Sequence, residues 1–535
     1  MVPSPIVTTI IFWLIIIAFC FSFTFALDNG LARTPPMGYD TWNFYHCQYD
    51  GETLMKTAKA MKDAGMLELG YEYIYPDDCW EAPERAPDGS LQPNPFKFPH
   101  GIKPVIDYIH SLGFKFGIYN CAGTRTCAGF PGSYGHYEEY AQQFADWGVD
   151  YIKFDWCNVP FWEFPGWSHE QVAQKLYSDF RDALNKTGRH IVFSMCNGWD
   201  PDVYPWRWAS DVANLWRTTD DIADNYDVMR DRYEQNILHG SKAGPGHWNN
   251  PDMLEVGNGG MTTEEYITHF SLWSIMAAPL VVGTDVINMT EATKMILTNK
   301  EVIDVDQDVL GVQGIRVKSD IAQDVVTKPL ANGDVAIVLF SSNGPGVINT
   351  TIEQVRMPSY YDVYILRDLW TKQETTIRHF ISAYVQGHGV KMYRIRPGKP
   401  QDAPPHHVIY FNPSPMMLTE SPKRYGASLR IENVGASTMQ HVHVQLNTSS
   451  QVKVIPLTAM KYDSIHEMEQ VEVSWHFDLP SDKYSGSYPV TVTVSYTYPY
   501  APFGARLSDT LDTSIYIPDL VQLGKEGTCH CSSSS

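Results

Sequence analysis

Acidic residues recur in this chain in short clusters that also hold tryptophan: Asp77-Asp78-Cys79-Trp80, Lys153-Phe154-Asp155-Trp156, Trp216-Arg217-Thr218-Thr219-Asp220-Asp221 and Trp248-Asn249-Asn250-Pro251-Asp252. Cys196-Asn197-Gly198-Trp199 belongs with them, with an amide in place of the acid. Glycoside cleavage needs such a set. One carboxylate is ionised, a second is held protonated, and further polar groups fix the sugar hydroxyls. Aromatic faces supply an apolar platform for the C–H side of a sugar ring. Side chains alternate along a strand, so Lys153 and Asp155 share a face. The ammonium is therefore expected to lower the Asp155 pKa and keep that group anionic. Taken singly, each cluster has a plainer reading. Asp77-Asp78 reads as a solvated turn or helix cap, Lys153 with Asp155 as a structural ion pair, Asp220-Asp221 as a helix start and the tryptophans as core. Their joint occurrence at the ends of successive strands favours chemistry.

The elements that carry them alternate. Tyr73-Ile74-Tyr75, the runs 114–119 and 151–154, and Ile191-Val192-Phe193-Ser194-Met195 read as short strands, and residues 52–65, 101–112, 135–147 and 170–184 show helical periodicity. Repeated βα units over residues 31–307 predict an α/β fold, a (β/α)8 barrel with function at the C-terminal ends of its strands. A doubly wound sheet is the competitor, but no GxGxxG follows any strand. Strand-like residues 324–396, with Asn332-Gly333 as a hairpin turn, predict an antiparallel β-domain. Period-2 runs at Val442/Val444/Leu446, Val473/Trp475/Phe477 and Val490/Val492/Val494 predict a C-terminal β-sandwich. The expected organisation is a signal peptide at 1–26, the barrel at 27–312, the β-domain at 313–398, a linker at 399–405, the sandwich at 406–520 and a disordered tail at 521–535.

The 535 residues carry a formal net charge of -21, from 61 acidic against 40 basic residues, a field that repels phosphate backbones. Nucleic acid is thereby disfavoured and a neutral ligand such as carbohydrate fits. The apolar run from Ile6 to Ala26 ends in Thr24-Phe25-Ala26, small residues where a signal peptidase reads. It lacks a basic n-region and is long enough to span a bilayer, so an uncleaved anchor is the other reading. Both direct the chain to the secretory lumen: extracellular, vacuolar or lysosomal. Sequons at Asn185, Asn288, Asn349 and Asn447 agree with that route. Of nine cysteines, Cys20 lies in the apolar run, and Cys529-His530-Cys531 is too short and isolated for a zinc site.

Residues 31–314 closely resemble the α-galactosidase family of glycoside hydrolases, which also includes α-N-acetylgalactosaminidases. The resemblance is carried by Thr34-Pro35-Pro36-Met37-Gly38, Asp77-Asp78-Cys79-Trp80, Lys153-Phe154-Asp155, Trp216-Arg217 with Asp221, Ala243-Gly244-Pro245-Gly246, Pro251-Asp252-Met253-Leu254 and Val305-Asp306-Gln307-Asp308. It implies a retaining exo-glycosidase that releases terminal α-linked galactose from oligosaccharides, polysaccharides or glycoconjugates, with no metal and no organic cofactor. Asp155 is implied as nucleophile and Asp221 as acid/base. Asp77 and Asp78 are implied on the 4- and 6-hydroxyls, Lys153 on the 3- and 4-hydroxyls, Arg217 on the 2-hydroxyl side and Asp252 across the pocket, with Trp42 and Tyr119 lining it. Disulfides Cys47–Cys79 and Cys127–Cys157 are implied too.

Three positions depart from the family pattern. Tyr39 replaces a usual Trp, Cys121 a frequent Asp, and Asn197 a frequent Glu at the 2-hydroxyl. The usual partner of Cys196 is absent, Ala213 standing there, which leaves Cys121 and Cys196 as free buried thiols or as a bridge to each other. The alternatives on this scaffold are an α-N-acetylgalactosaminidase, a β-L-arabinopyranosidase and a catalytically silent carbohydrate-binding protein.

Overall fold

The computed structural model describes residues 29–517, apart from 198–199, 321, 362, 399–406, 421–422, 434–437, 449–451, 467–468, 480–485 and 499–505. The 1–26 segment, the linker 399–405 and the tail 521–535 lie outside the described residues, as do Cys20, Trp199, Cys529 and Cys531.

Eight short parallel strands form one sheet: β1 Met37–Asp40, β2 Tyr73–Tyr75, β3 Lys115–Cys121, β4 Tyr151–Asp155, β5 Val192–Cys196, β6 Leu215–Arg217, β7 Trp248–Asn250 and β8 Leu280–Val282. Hydrogen bonding runs in the order β7-β6-β5-β4-β3-β2-β1-β8. The seam between β7 and β8 is closed by the backbone just past β7. The N–H of Leu254 donates to the Val281 carbonyl at 2.7 Å, and the N–H of Gly283 donates to the Leu254 carbonyl at 3.0 Å. The result is the expected (β/α)8 barrel. β3 runs two residues past the expected end, because its ladder with β4 continues to the pair Cys121↔Asp155.

Helices begin where the sequence caps them. Asp50 accepts the Thr53 N–H at 2.8 Å to start Gly51–Asp63, and Ser168 with Gln171, and Thr262 with Glu265, form capping boxes for His169–Lys186 and Thr263–Ile275. Gly38 is required in β1, since a Cβ there would lie 2.4 Å from the Tyr73 carbonyl oxygen on β2.

The second domain is a six-stranded antiparallel sheet from Ile315–Ser319 to Val390–Pro397, with a two-stranded ribbon of Gly346–Thr351 and Phe380–Val385. The hairpin turns as expected at Gly333, φ 87°. One face of the sheet holds its own core, with Val325, Ile337, Leu339 and Ile395, while Val326, Val338, Phe340 and Met392 join the barrel core. Helix Thr263–Ile275, caught between barrel and sheet, is buried at Tyr266 and from Thr268 to Ile275, as a helix packed on all sides must be. Two four-stranded sheets then form the sandwich around Val442, Val444, Val473, Trp475, Phe477, Val490, Val492 and Val494.

Candidate active site

The polar clusters converge on the C-terminal ends of the barrel strands. Lys153 on β4 reaches across the mouth to carboxylates beyond β3, one after β2 and one ending β1. Its Nζ lies 2.6 Å from Oδ2 of Asp77, just after β2, and 3.2 Å from Oδ2 of Asp40, the last residue of β1. Burial works to lower the Lys153 pKa, but Asp40 and Asp77 outweigh it and hold the ammonium well above its ordinary value. The Asp77 N–H donates to Thr41 Oγ1 at 2.9 Å, and the Tyr49 hydroxyl donates to the carbonyls of both Asp77 and Asp78. Asp78 accepts from the Cys79 N–H at 2.7 Å and the Ala128 N–H at 2.8 Å, and burial raises its pKa. Both aspartates are buried, so the solvated-turn reading fails. Each of these carboxylate oxygens has two lone pairs, so an acceptor site is left for a ligand.

Asp155 closes β4. Its Oδ2 accepts the Tyr119 hydroxyl at 2.8 Å and its Oδ1 the Trp156 N–H at 2.8 Å. Lys153 lowers the Asp155 pKa as expected, but it does so through space, since its ammonium is bonded to Asp77 and Asp40. Burial pushes the Asp155 pKa up to about 6, against the lowering by Lys153 and the two hydrogen bonds. The two implied disulfides, Cys47–Cys79 and Cys127–Cys157, are both formed. The second ties down the loop beside Asp155 and sets Cys127 Sγ 3.3 Å from its Oδ2.

On the far side, Arg217 at the end of β6 places Nη2 3.0 Å from Oδ1 of Asp221 and 3.1 Å from Oδ2 of Asp252. Its Nη1 points at the Cys196 sulfur, 3.4 Å away. Arg217 and Asp252 are buried, whereas the Asp221 side chain is 77% exposed. Arg217 holds the Asp221 carboxyl below the usual range. The adjacent guanidinium thus works against the protonated form expected of the acid. Asp252 adopts φ 82°, a left-handed conformation costly for a side-chain-bearing residue. Its Oδ2 also accepts the Ile222 N–H at 2.8 Å, which pins the segment carrying Asp221.

Asn197, one residue past β5, is fully buried, and neither its Oδ1 nor its Nδ2 has a partner among the described residues. Arg217 Nε is likewise without one. Buried polar atoms are normally satisfied, so these mark a place made for polar groups. Trp42 is half-buried beside the barrel layer of Tyr73, Tyr75 and Tyr151. Trp80, Trp156 and Trp248 are core, not sugar platforms, each at most 1% exposed. Cys121 and Cys196 are free thiols. They flank Asp155 at one register on β3 and β5, two strand spacings apart (roughly 9.5 Å), beyond disulfide reach. Asp40 escaped the reading of the sequence, although a carboxylate closing β1 obeys the same rule that singled out the other strand ends.

The family profile described as alpha galactosidase A matches residues 34–308, and that of the alpha galactosidase C-terminal beta sandwich domain matches residues 320–395. The chain is similar to an alpha-galactosidase of Coffea arabica, 45% identical over 374 residues, covering 69% of this chain and 96% of that one. Among solved structures it resembles alpha-galactosidase I from Mortierella vinacea, with a TM-score of 0.66 and 36% identity over 69% of this chain and 98% of that one. A Saccharomyces cerevisiae alpha-galactosidase structure with raffinose matches with a TM-score of 0.63 and 29% identity, over 69% and 99% of the two chains.

Proposed function

The chain belongs to the α-galactosidase family of glycoside hydrolases, and from that premise we propose that it hydrolyses terminal α-linked galactose by double displacement, with Asp155 as nucleophile and Asp221 as acid/base. The observation that carries the assignment is the unlike setting of these two carboxylates. Asp155 is buried and oriented by the Tyr119 hydroxyl and the Trp156 N–H, as an attacking group must be. Asp221 stands exposed at the rim, where a leaving group departs and water enters.

In the first step an Asp155 oxygen bonds to the anomeric carbon as the glycosidic C–O bond breaks, and Asp221 delivers its proton to the departing oxygen. In the second, Asp221 takes a proton from water, which displaces Asp155 and restores the α-configuration. Two inversions give retention. Asp77 and Asp78 take the 4- and 6-hydroxyls, Lys153 the 3- and 4-hydroxyls, Arg217 and Asn197 the 2-position, with Asp252 fixing Arg217 and Trp42 and Tyr119 lining the pocket. The raffinose-bound relative supports an α-galactoside ligand.

Protonation in the free enzyme runs opposite to the need, with the nucleophile at about 6 and the acid below its usual range. The productive form is then the minor tautomer of the singly protonated pair, and its population peaks between the two macroscopic pKa values. A route through the secretory lumen, by the 1–26 run, fits four sequon asparagines that are all exposed.

The test is kcat/KM on matched p-nitrophenyl α-galactoside, α-N-acetylgalactosaminide and β-L-arabinopyranoside, with the first-formed anomer read by NMR. Preference for galactoside and an α-product are expected. Preference for either other sugar, or a β-product, overturns the reading.

A further inference from the structure

We propose that Asp40 is a positioning residue of the galactose subsite, holding the Lys153 ammonium jointly with Asp77 and the backbone of Trp42 in place. The proposal rests on the reading that Lys153 meets the sugar. Asp40 is fully buried at the end of β1, and its two oxygens are divided between two tasks. Oδ2 lies 3.2 Å from Lys153 Nζ, and Oδ1 accepts the Trp42 N–H at 2.8 Å. Lys153 comes from β4, with β3 and β2 between, so its long side chain must cross the mouth to be held there. An ammonium has three donors. Asp77 takes one, Asp40 takes a second, and the third is left for a sugar hydroxyl. Without Asp40 the head group would swing about its single anchor at Asp77, and a ligand would have to bear the ordering cost.

The same arrangement makes the subsite sensitive to alkali. Asp40 faces Asp77 from the end of β2, Lys153 and Tyr151 from β4, Tyr39 on its own strand, Tyr75 from β2 and Tyr49. Those four phenols are all pushed up by burial and stay neutral. Burial first, then the Asp77 charge, raise the Asp40 pKa to about 8, with Lys153 opposing. Below that pH a protonated Asp40 still offers Lys153 an oxygen lone pair, so the joint hold with Asp77 persists. Above it Asp40 gains a full charge and competes with the sugar hydroxyl for the third donor of the ammonium.

Galactose affinity is measured by calorimetry from pH 5.5 to 9.5 on the wild-type protein and on Asp40→Asn, Asp40→Ala and Lys153→Met. The wild-type Kd is expected to hold steady to about pH 7.5 and weaken about tenfold by pH 9.5. Asp40→Asn keeps an acceptor without a titrating proton and is expected to bind with no alkaline loss. Asp40→Ala is expected to weaken binding at least about fivefold at pH 6, with KM rising and kcat nearly unchanged. Should the alanine variant not fold, the asparagine variant carries the test. An alkaline loss that persists unchanged in Asp40→Asn overturns the proposal. Wild-type affinity in Lys153→Met overturns instead the placement of Lys153 on the sugar.

Discussion

The two sides of the barrel mouth solve one electrostatic problem differently. On the β1–β2–β4 side, Lys153 is 12% exposed and sits between two carboxylates that water scarcely reaches, Asp77 and Asp40. On the β6–β7 side, Arg217 also meets two carboxylates, but only Asp252 is buried, while Asp221 is 77% exposed. A cation locked between buried acids suits fixed recognition of hydroxyls. A cation with one buried and one solvated acid suits a proton carrier that must change its charge twice per turnover. Asp155 stands between these regimes, buried like the first and without a direct cation among the described residues.

The largest effect should come from removing the group that stands between the two sides. Asp155→Asn is expected to lower kcat at least about a thousandfold with the fold intact, since the covalent step is lost. Near-native turnover would remove Asp155 from the mechanism. Asp221→Asn is expected to lose roughly 10²–10⁴-fold on a natural α-galactoside, but much less in the glycosylation step of p-nitrophenyl galactoside, whose leaving group needs little protonation. Equal losses on both substrates would argue against its role as acid.

Stability should divide the two carboxylates of Arg217. Asp252→Ala strips a buried partner and is expected to cost about 3–5 kcal/mol, whereas neutralising the exposed Asp221 is expected to cost about 0–1 kcal/mol. Denaturant midpoints measure both, and equal losses would erase the contrast between the acids.

The pH profile sharpens the comparison further. Asp155 is raised by burial to about 6 and acts ionised in the proposed mechanism, while Asp221 is lowered by Arg217 and acts there as the protonated acid. Below both pKa values the nucleophile is neutral, and above both the acid is spent. kcat/KM should therefore peak in the acidic range and fall tenfold per unit above about pH 6. A plateau to pH 8 would show that the Arg217–Asp221 pair does not govern the free enzyme. The smallest effect concerns the 2-position. Asn197→Ala removes an amide without a partner among the described residues, and about a tenfold loss of kcat/KM on galactoside, with relaxed rejection of the N-acetyl sugar, is expected.

Much of this was legible because barrels put function at strand ends. Asp77, Asp155, Arg217 and Asp252 announce themselves by following or closing apolar runs, and their order along the chain becomes their order around the mouth. Which charge neutralises which was not legible. Lys153 lies two residues from Asp155, yet its long side chain reaches across the mouth to Asp77 after β2 and Asp40 at the end of β1. Asp221 looked like a protonated acid until the structure set Arg217 against it. The separation of Cys121 and Cys196 likewise depends on strand register, which spacing in the sequence does not reveal.

The central claim, that Asp155 is the nucleophile of a retaining α-galactosidase, is tested most directly by trapping. A fluorinated α-galactosyl fluoride whose glycosyl-enzyme breaks down slowly is incubated with the protein, and the proteolysed product is mapped by mass spectrometry. A galactosyl ester on Asp155 is the predicted result. A label on Asp221 or on any other carboxylate would contradict it.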